Sequence, residues 1–162
     1  MIIREATLED STTLTRLISE ANKDVAVKFG LHAGNCPKHP SLCTDDWIKA
    51  DFARGQRYFI TEEASTCIAC VAFETPKTGL AYMHRLSVLP AHRHRGVGAR
   101  LVQHIITLAR TASVVTINIG VIGEHDDLLR WYRKLGFKDG ETKRFPHLPF
   151  SVKRMSYAIE GG

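Results

Sequence analysis

From Leu86 to Leu101 the chain reads Leu86-Ser87-Val88-Leu89-Pro90-Ala91-His92-Arg93-His94-Arg95-Gly96-Val97-Gly98-Ala99-Arg100-Leu101, an order of residue types suited to holding an anion. An apolar, β-prone segment stops at a proline, passes through a basic turn with two glycines and opens a periodic helix. Free N–H groups and the positive end of the dipole at such a helix start attract phosphate, and Gly96 and Gly98 let it approach the main chain. Arg93, Arg95 and Arg100 add positive charge, with no Asp or Glu between Glu74 and Glu124 to offset it locally. The spacing excludes two common phosphate-binding turns. A P-loop needs Lys followed by Ser or Thr after its last glycine, and a dinucleotide fingerprint needs Gly-x-Gly-x-x-Gly.

The pattern Arg93-x-x-Gly96-x-Gly98 behind Leu86-x-Val88 instead resembles the acyl-CoA pyrophosphate loop of the GNAT superfamily of N-acetyltransferases. Two further segments, in the family's order, extend the resemblance over nearly the whole chain. Ile2 to Asp10 is similar to the family's opening strand and helix cap, and Leu129 to Phe137 is similar to its late helix ending in Tyr-x-x-x-Gly-Phe. The resemblance implies an N-acetyltransferase that moves an acetyl group from acetyl-CoA to a primary amine of a small molecule or peptide. Attack would be direct, in a ternary complex. It implies cofactor contacts from the main chain of Leu86, Ser87 and Val88 and from Arg93, His94, Arg95, Gly96, Val97, Gly98, Ala99 and Arg100. A backbone N–H near Val88 would polarise the thioester carbonyl. Tyr132 matches the family tyrosine that touches the cofactor and protonates the departing CoA sulfur.

Two positions depart from the family's pattern. His84 stands where many relatives carry a glutamate that relays the substrate proton through water, a task that suits an imidazole with an ordinary pKa of about 6.5. Glu74, at the end of the preceding strand, is the second candidate base. His125 lies seven residues before Tyr132, where the family commonly has an asparagine, and its imidazole can donate one hydrogen bond to the cofactor instead. These departures also admit a different class of protein, a non-catalytic acyl-CoA-binding regulator.

His32, Cys36, His39 and Cys43 form a His-x3-Cys-x2-His-x3-Cys series whose four side chains are of the type that encloses zinc. Pro37 and Pro40 depart from a zinc knuckle and the family needs no metal, so no metal is expected and the segment reads as an acceptor-recognising loop. Cys67 and Cys70, three apart on a strand, are expected on opposite faces, and all four cysteines read as reduced thiols. Arg54, Arg57, Lys143, Arg144 and the turn from Arg144 to Phe150 are expected to border the acceptor site.

The elements that must position these groups follow from periodicity. A strand over Ile2–Ala6 precedes a helix capped by Thr7-x-x-Asp10, with Leu14, Leu17, Ile18 and Ala21 on its apolar face. A long loop from Gly30 to Cys43 leads to a helix capped by Thr44 and ended near Gly55. Strands are predicted at Tyr58–Thr61, Cys67–Phe73 and Ala81–Val88, with turns at Glu62–Thr66 and Pro76–Gly79. The helix from about Gly98 and a strand at Val114–Val121 imply a parallel crossover. A helix over Asp126–Leu135, burying Leu128, Tyr132 and Leu135, stops at Gly136, and strands near Thr142–Phe145 and Val152–Ile159 complete a mixed, mostly antiparallel α/β sheet with about four helices.

At 162 residues the chain is expected to form one domain, residues 1–162, with a core that needs no disulfide. No apolar run is long enough to span a membrane, and Arg4, Glu5, Glu9 and Asp10 interrupt any signal-peptide pattern, so a cytoplasmic protein is expected. A net charge of +5 suits a polyphosphate cofactor without demanding nucleic acid, whose binding would be the competing use of the basic turn. No motif names the amine or sets the oligomeric state, and a homodimer is compatible with the sequence.

Overall fold

The computed structural model describes residues 1–160. Its strands are β1 (Ile2–Glu5), β2 (Arg57–Glu63), β3 (Thr66–Lys77), β4 (Leu80–Val88), β5 (Thr116–Ile122), β6 (Lys138–Arg144) and β7 (Ser151–Ala158). The helices are α1 (Ser11–Ala21), α2 (Lys23–Phe29), α3 (Asp45–Ala53), α4 (Val97–Thr111) and α5 (Asp126–Lys134). One seven-stranded sheet has the order β1-β2-β3-β4-β5-β7-β6. Every neighbouring pair is antiparallel except β4 and β5, which α4 joins as the expected parallel crossover.

Each face of the sheet buries helices, because alternate strand residues point to opposite sides. Tyr58, Ile60, Cys70 and Ala72 pack with Leu14, Leu17 and Ile18 of α1 and Ile48 of α3. Phe59, Val71, Phe73 and Ala81 pack on the other face with Leu101 and Ile105 of α4 and Leu129 of α5.

Two bulges break that alternation. In β3, Cys67 lies opposite Glu62 but Ala69 lies opposite Thr61, which makes Ile68 the extra residue. Ile68 and Ala69 therefore both join the α4 side, and Cys67 and Cys70 both pack towards α1 and α3, on the same face rather than opposite ones. The cysteines are free. In β4, His84 lies opposite Ala72 and Ser87 opposite Cys70, so β4 holds one extra residue, and within this stretch Arg85 takes a left-handed φ of 53°.

The pairing of β4 with β5 ends at Tyr82 and Asn118, although β4 continues to Val88 and β5 to Ile122. Beyond that point the two strands part. The opening between them positions the site.

Several boundaries differ from the sequence reading. Helix α2 was not expected, since its seven residues bury none of their side chains fully, and Gly30 ends it at φ +62°. Pro76 lies within β3, and the turn to β4 is Thr78-Gly79. Val114 and Val115 precede β5, with Val115 exposed. Leu128 and Leu135 are half-buried, whereas Leu129 and Tyr132 are the buried residues of α5. Strand β6 is a wholly exposed edge strand with no apolar residue, so periodicity could not find its start.

Candidate active site

The glycine turn forms one wall of a groove of about 510 Å³. Leu86, Ser87 and Val88 line it from β4, and Arg93, His94, Gly96, Val97, Gly98 and Ala99 line it from the turn and the start of α4. The first main-chain bond of α4 runs from Arg100 N to Gly96 O at 3.1 Å, so the N–H groups of Val97, Gly98 and Ala99 have no partner inside the helix. Gly96, at φ +79°, turns the chain into that helix. A side chain at Gly98 would come within 3.3 Å of the Trp131 ring, so this glycine also admits a tryptophan from α5 to the groove.

The arginines of the turn have acids that the local sequence does not show. Arg93 donates to Asp24 at 2.5 Å, to Ala21 O at 2.6 Å and to Val88 O at 3.1 Å, tying the turn to α1, α2 and β4. Arg95 pairs with Glu63 at 2.7 Å. The charge of Arg93 and Arg95, which no local acid offsets, is thus met by acids from 69 and 32 positions away. Arg95 and Arg100 do not line the groove. Ser87 accepts from Asn22 at 3.2 Å and donates to Arg85 O at 2.9 Å, which holds β4 against the end of α1.

A second cavity of about 790 Å³ opens where β4 and β5 diverge. His84 and Glu74 both line it, and His84 Nε2 lies 2.9 Å from Glu74 Oε1. With the Nε2 proton in that bond, Nδ1 is left as an acceptor. Tyr132 also lines the cavity, its ring packed edge-on to Trp131 and Phe137 at 5.0 and 5.3 Å. Burial pushes its phenol above the usual range, so the hydroxyl keeps its proton at neutral pH. The two cavities share Asn22, Val25, Leu86, His125 and Leu128. His125 stands at this junction, at the start of α5, with Nδ1 buried and without a protein partner and its ring 5.6 Å from Phe29. Burial, and then Lys28, hold this imidazole below its ordinary pKa and so in its neutral form.

Beneath the second cavity lies a network that the sequence reading missed. Asp51, 2% exposed, accepts from Tyr58 OH at 2.6 Å, from Arg85 Nη1 at 2.7 Å and from Arg54 at 2.6 Å. The bulge in β4 carries Arg85 to this place.

The sequence profile of the acetyltransferase (GNAT) family matches residues 26–137, more than half of the chain. The chain belongs to the GNAT acetyltransferase family. Solved structures agree on the fold. The ribosomal-protein-S18-alanine N-acetyltransferase of Escherichia coli is 14% identical, with 99% of this chain and 95% of that chain covered and a TM-score of 0.80. Salmonella typhimurium yncA, solved with its cofactor acetyl-CoA, is 19% identical over 100% and 95%, with a TM-score of 0.73. The PaiA N-acetyltransferase of Thermoplasma acidophilum, in complex with coenzyme A, is 18% identical over 98% and 99%, with a TM-score of 0.74. No curated protein matches the sequence.

Set on the acetyltransferase fold, the other expected residues divide in two. Arg54, Lys143, Phe145, Leu148 and Phe150 line the larger cavity, while Arg57 and Arg144 do not, Arg57 being held by Glu5 at 2.8 Å. The Gly30–Cys43 loop contributes Cys36, Lys38, His39 and Pro40 to the same cavity. Its would-be metal ligands have other surroundings. His32 Nδ1 accepts from Gly34 N at 3.0 Å, His39 Nδ1 from Ser41 N at 3.2 Å, and Cys43 joins the core, where burial pushes its thiol up to about 11. Among the described residues no three His, Cys, Asp or Glu side chains are grouped as a metal site. No helix among them is long and apolar enough to cross a membrane.

Proposed function

We propose that this acetyltransferase moves the acetyl group of acetyl-CoA directly to an amine held in the cavity between β4 and β5. The observation that carries the reading is the meeting of two cavities: an anion-holding groove and a cleft lined by His84, Glu74 and Tyr132 share one wall at Leu86, His125 and Leu128. Direct transfer needs both substrates present at one junction.

In this reading the free N–H groups of Val97, Gly98 and Ala99 take the pyrophosphate, and Leu86 to Val88 border the pantetheine arm. His125 donates a hydrogen bond to the cofactor at the junction. His84, oriented by Glu74, takes the proton from the incoming ammonium, which frees its nitrogen lone pair. That lone pair attacks the thioester carbonyl, and the carbon–sulfur bond breaks as the Tyr132 hydroxyl gives its proton to the leaving sulfur. The nitrogen's surplus proton passes to the Tyr132 phenolate, which restores the phenol and leaves the neutral amide.

The test pairs calorimetric titration with acetyl-CoA and a CoA-thiol release assay over a panel of amines. His84→Gln is expected to keep acetyl-CoA affinity while kcat falls about 100-fold, within the ordinary range for a positioned base. Tyr132→Phe should lower kcat by about 10-fold at unchanged affinity. Acetyl-CoA binding with no thiol released for any amine would overturn the transferase reading in favour of an acyl-CoA-binding regulator.

A further inference from the structure

We propose that the amine acceptor carries a carboxylate close to its amino group and that Arg85 is the residue that reads it. The inference rests on the transferase reading of the cleft and names the substrate class.

Arg85 is built as a fixed cation. Its φ of 53° is unfavourable for a residue with a side chain, and such a backbone persists only where its surroundings hold it. Nη1 is anchored to Asp51 at 2.7 Å and to the Tyr58 hydroxyl at 3.1 Å, and the guanidinium lies 5.6 Å from the Trp47 ring centroid. These contacts use a single nitrogen and one face. Nε and Nη2 make no hydrogen bond to another described residue, and Arg85 lines the acceptor cleft next in sequence to His84. A guanidinium held in this way keeps two adjacent donors for a carboxylate, with little rotational freedom left to lose on binding.

The charges around the cleft point the same way. Asp51 is shared by Arg85 and the largely exposed Arg54, so these three side chains together carry one net positive charge. The two carboxylates that line the cleft are engaged, Glu74 with His84 at 2.9 Å and Glu141 with Lys143 at 3.3 Å. Lys38 and Arg154 line the cleft and have no carboxylate partner among the described residues. A second ammonium on the acceptor would find no free acid, whereas a carboxylate would find Arg85. Phe145, Leu148 and Phe150 add an apolar wall for the rest of the molecule. An amino acid, or a peptide whose first residue is acidic, offers this chemistry.

The experiment measures kcat/KM by thiol release for leucine and phenylalanine, for leucinamide and phenylalaninamide, for aspartyl-leucinamide, and for 1,5-diaminopentane. Wild type should prefer each free amino acid over its amide by more than 10-fold and should turn over the diamine least. Preference for aspartyl-leucinamide over leucine would assign the carboxylate to a peptide source and equally support Arg85. Arg85→Gln should bring the acid-to-amide ratio near one, and Arg85→Lys, which keeps a cation beside Asp51, should reduce it in between. Calorimetric affinity for acetyl-CoA shows that each variant is folded. Equal use of acid and amide by wild type, or an unchanged ratio in Arg85→Gln, would overturn the proposal. If no amine is acetylated, titration of the CoA-loaded protein with leucine and leucinamide decides it: Arg85-dependent binding of leucine alone supports the carboxylate site even as the transferase reading fails, and equal or absent binding rejects it.

Discussion

The groove proposed for the cofactor and the cleft proposed for the acceptor are adjacent but are built on different plans. The groove is dominated by one continuous segment, Leu86 to Ala99, and offers main-chain N–H groups at the start of α4 that have no partner inside the helix. The cleft gathers side chains from the Gly30–Cys43 loop, from β3, β4, β5 and α5, and from the segment before β7. A ligand common to a whole family can be held by backbone geometry, which tolerates change in surrounding side chains. A ligand particular to one protein needs side chains, and these are brought together by the fold. The two meet at a shared wall, with His125 lining both cavities.

Four perturbations break or sharpen this contrast. The largest effect is expected from Asp51→Ala, which leaves Arg85 without its buried acid. Removing one partner of such a pair costs about 3–5 kcal/mol, or roughly 10 °C in Tm for a chain of this size. Thermal unfolding followed by circular dichroism checks it, and a change under 2 °C would show that the cleft does not depend on the network. Next, Arg93→Ala removes the ties from the turn to Asp24, Ala21 and Val88 and should raise the KM for acetyl-CoA about 10-fold, or ~1.4 kcal/mol. An equal rise in the acceptor KM would mean that the two regions are not separable.

Gly96→Ala is expected to be milder. Its added methyl meets no atom within 4 Å, so the cost is the left-handed backbone alone, about 1 kcal/mol, read as a several-fold loss of acetyl-CoA affinity by calorimetry. The smallest effect concerns pH. Because burial holds His125 below its ordinary pKa, the unfolded chain binds more protons than the folded one as pH drops below about 7, and the stability from the neutral ring is lost as pH falls through that window. Burial lowers His39 and His104 as well, so all three act with the same sign. His125→Asn should flatten the fall in Tm between pH 7 and 5 by about 1 °C, and an unchanged slope would place the buried proton acceptor elsewhere.

The contrast also explains what could be read before the fold was known. The capping signal at Thr7 is realised as a bond from its N–H to the Asp10 carboxylate at 2.8 Å, and Gly136 ends α5 at φ +104°, because caps and glycine stops act within a few residues. The thiols of Cys67 and Cys70 were misplaced because a bulge has no composition signal in an otherwise apolar strand. His84 and Glu74 could each be nominated from the sequence, but their 2.9 Å contact depends on the register of β3 against β4. Arg85 gave no warning at all. Its place beside the cleft depends on the other bulge, the one in β4, and on Asp51, which arrives from a helix 34 positions earlier.

The sequence by itself determined the basic glycine turn that opens α4, the helix and strand periods and the GNAT family, because each is written in contiguous residues and enforced by local backbone physics. The tertiary structure alone decided which acids neutralise Arg93 and Arg95, where β4 parts from β5 and how Arg85 is held beside the cleft. Those outcomes turn on pairings between distant segments, whose energy comes from burial and register rather than from any neighbour in the chain.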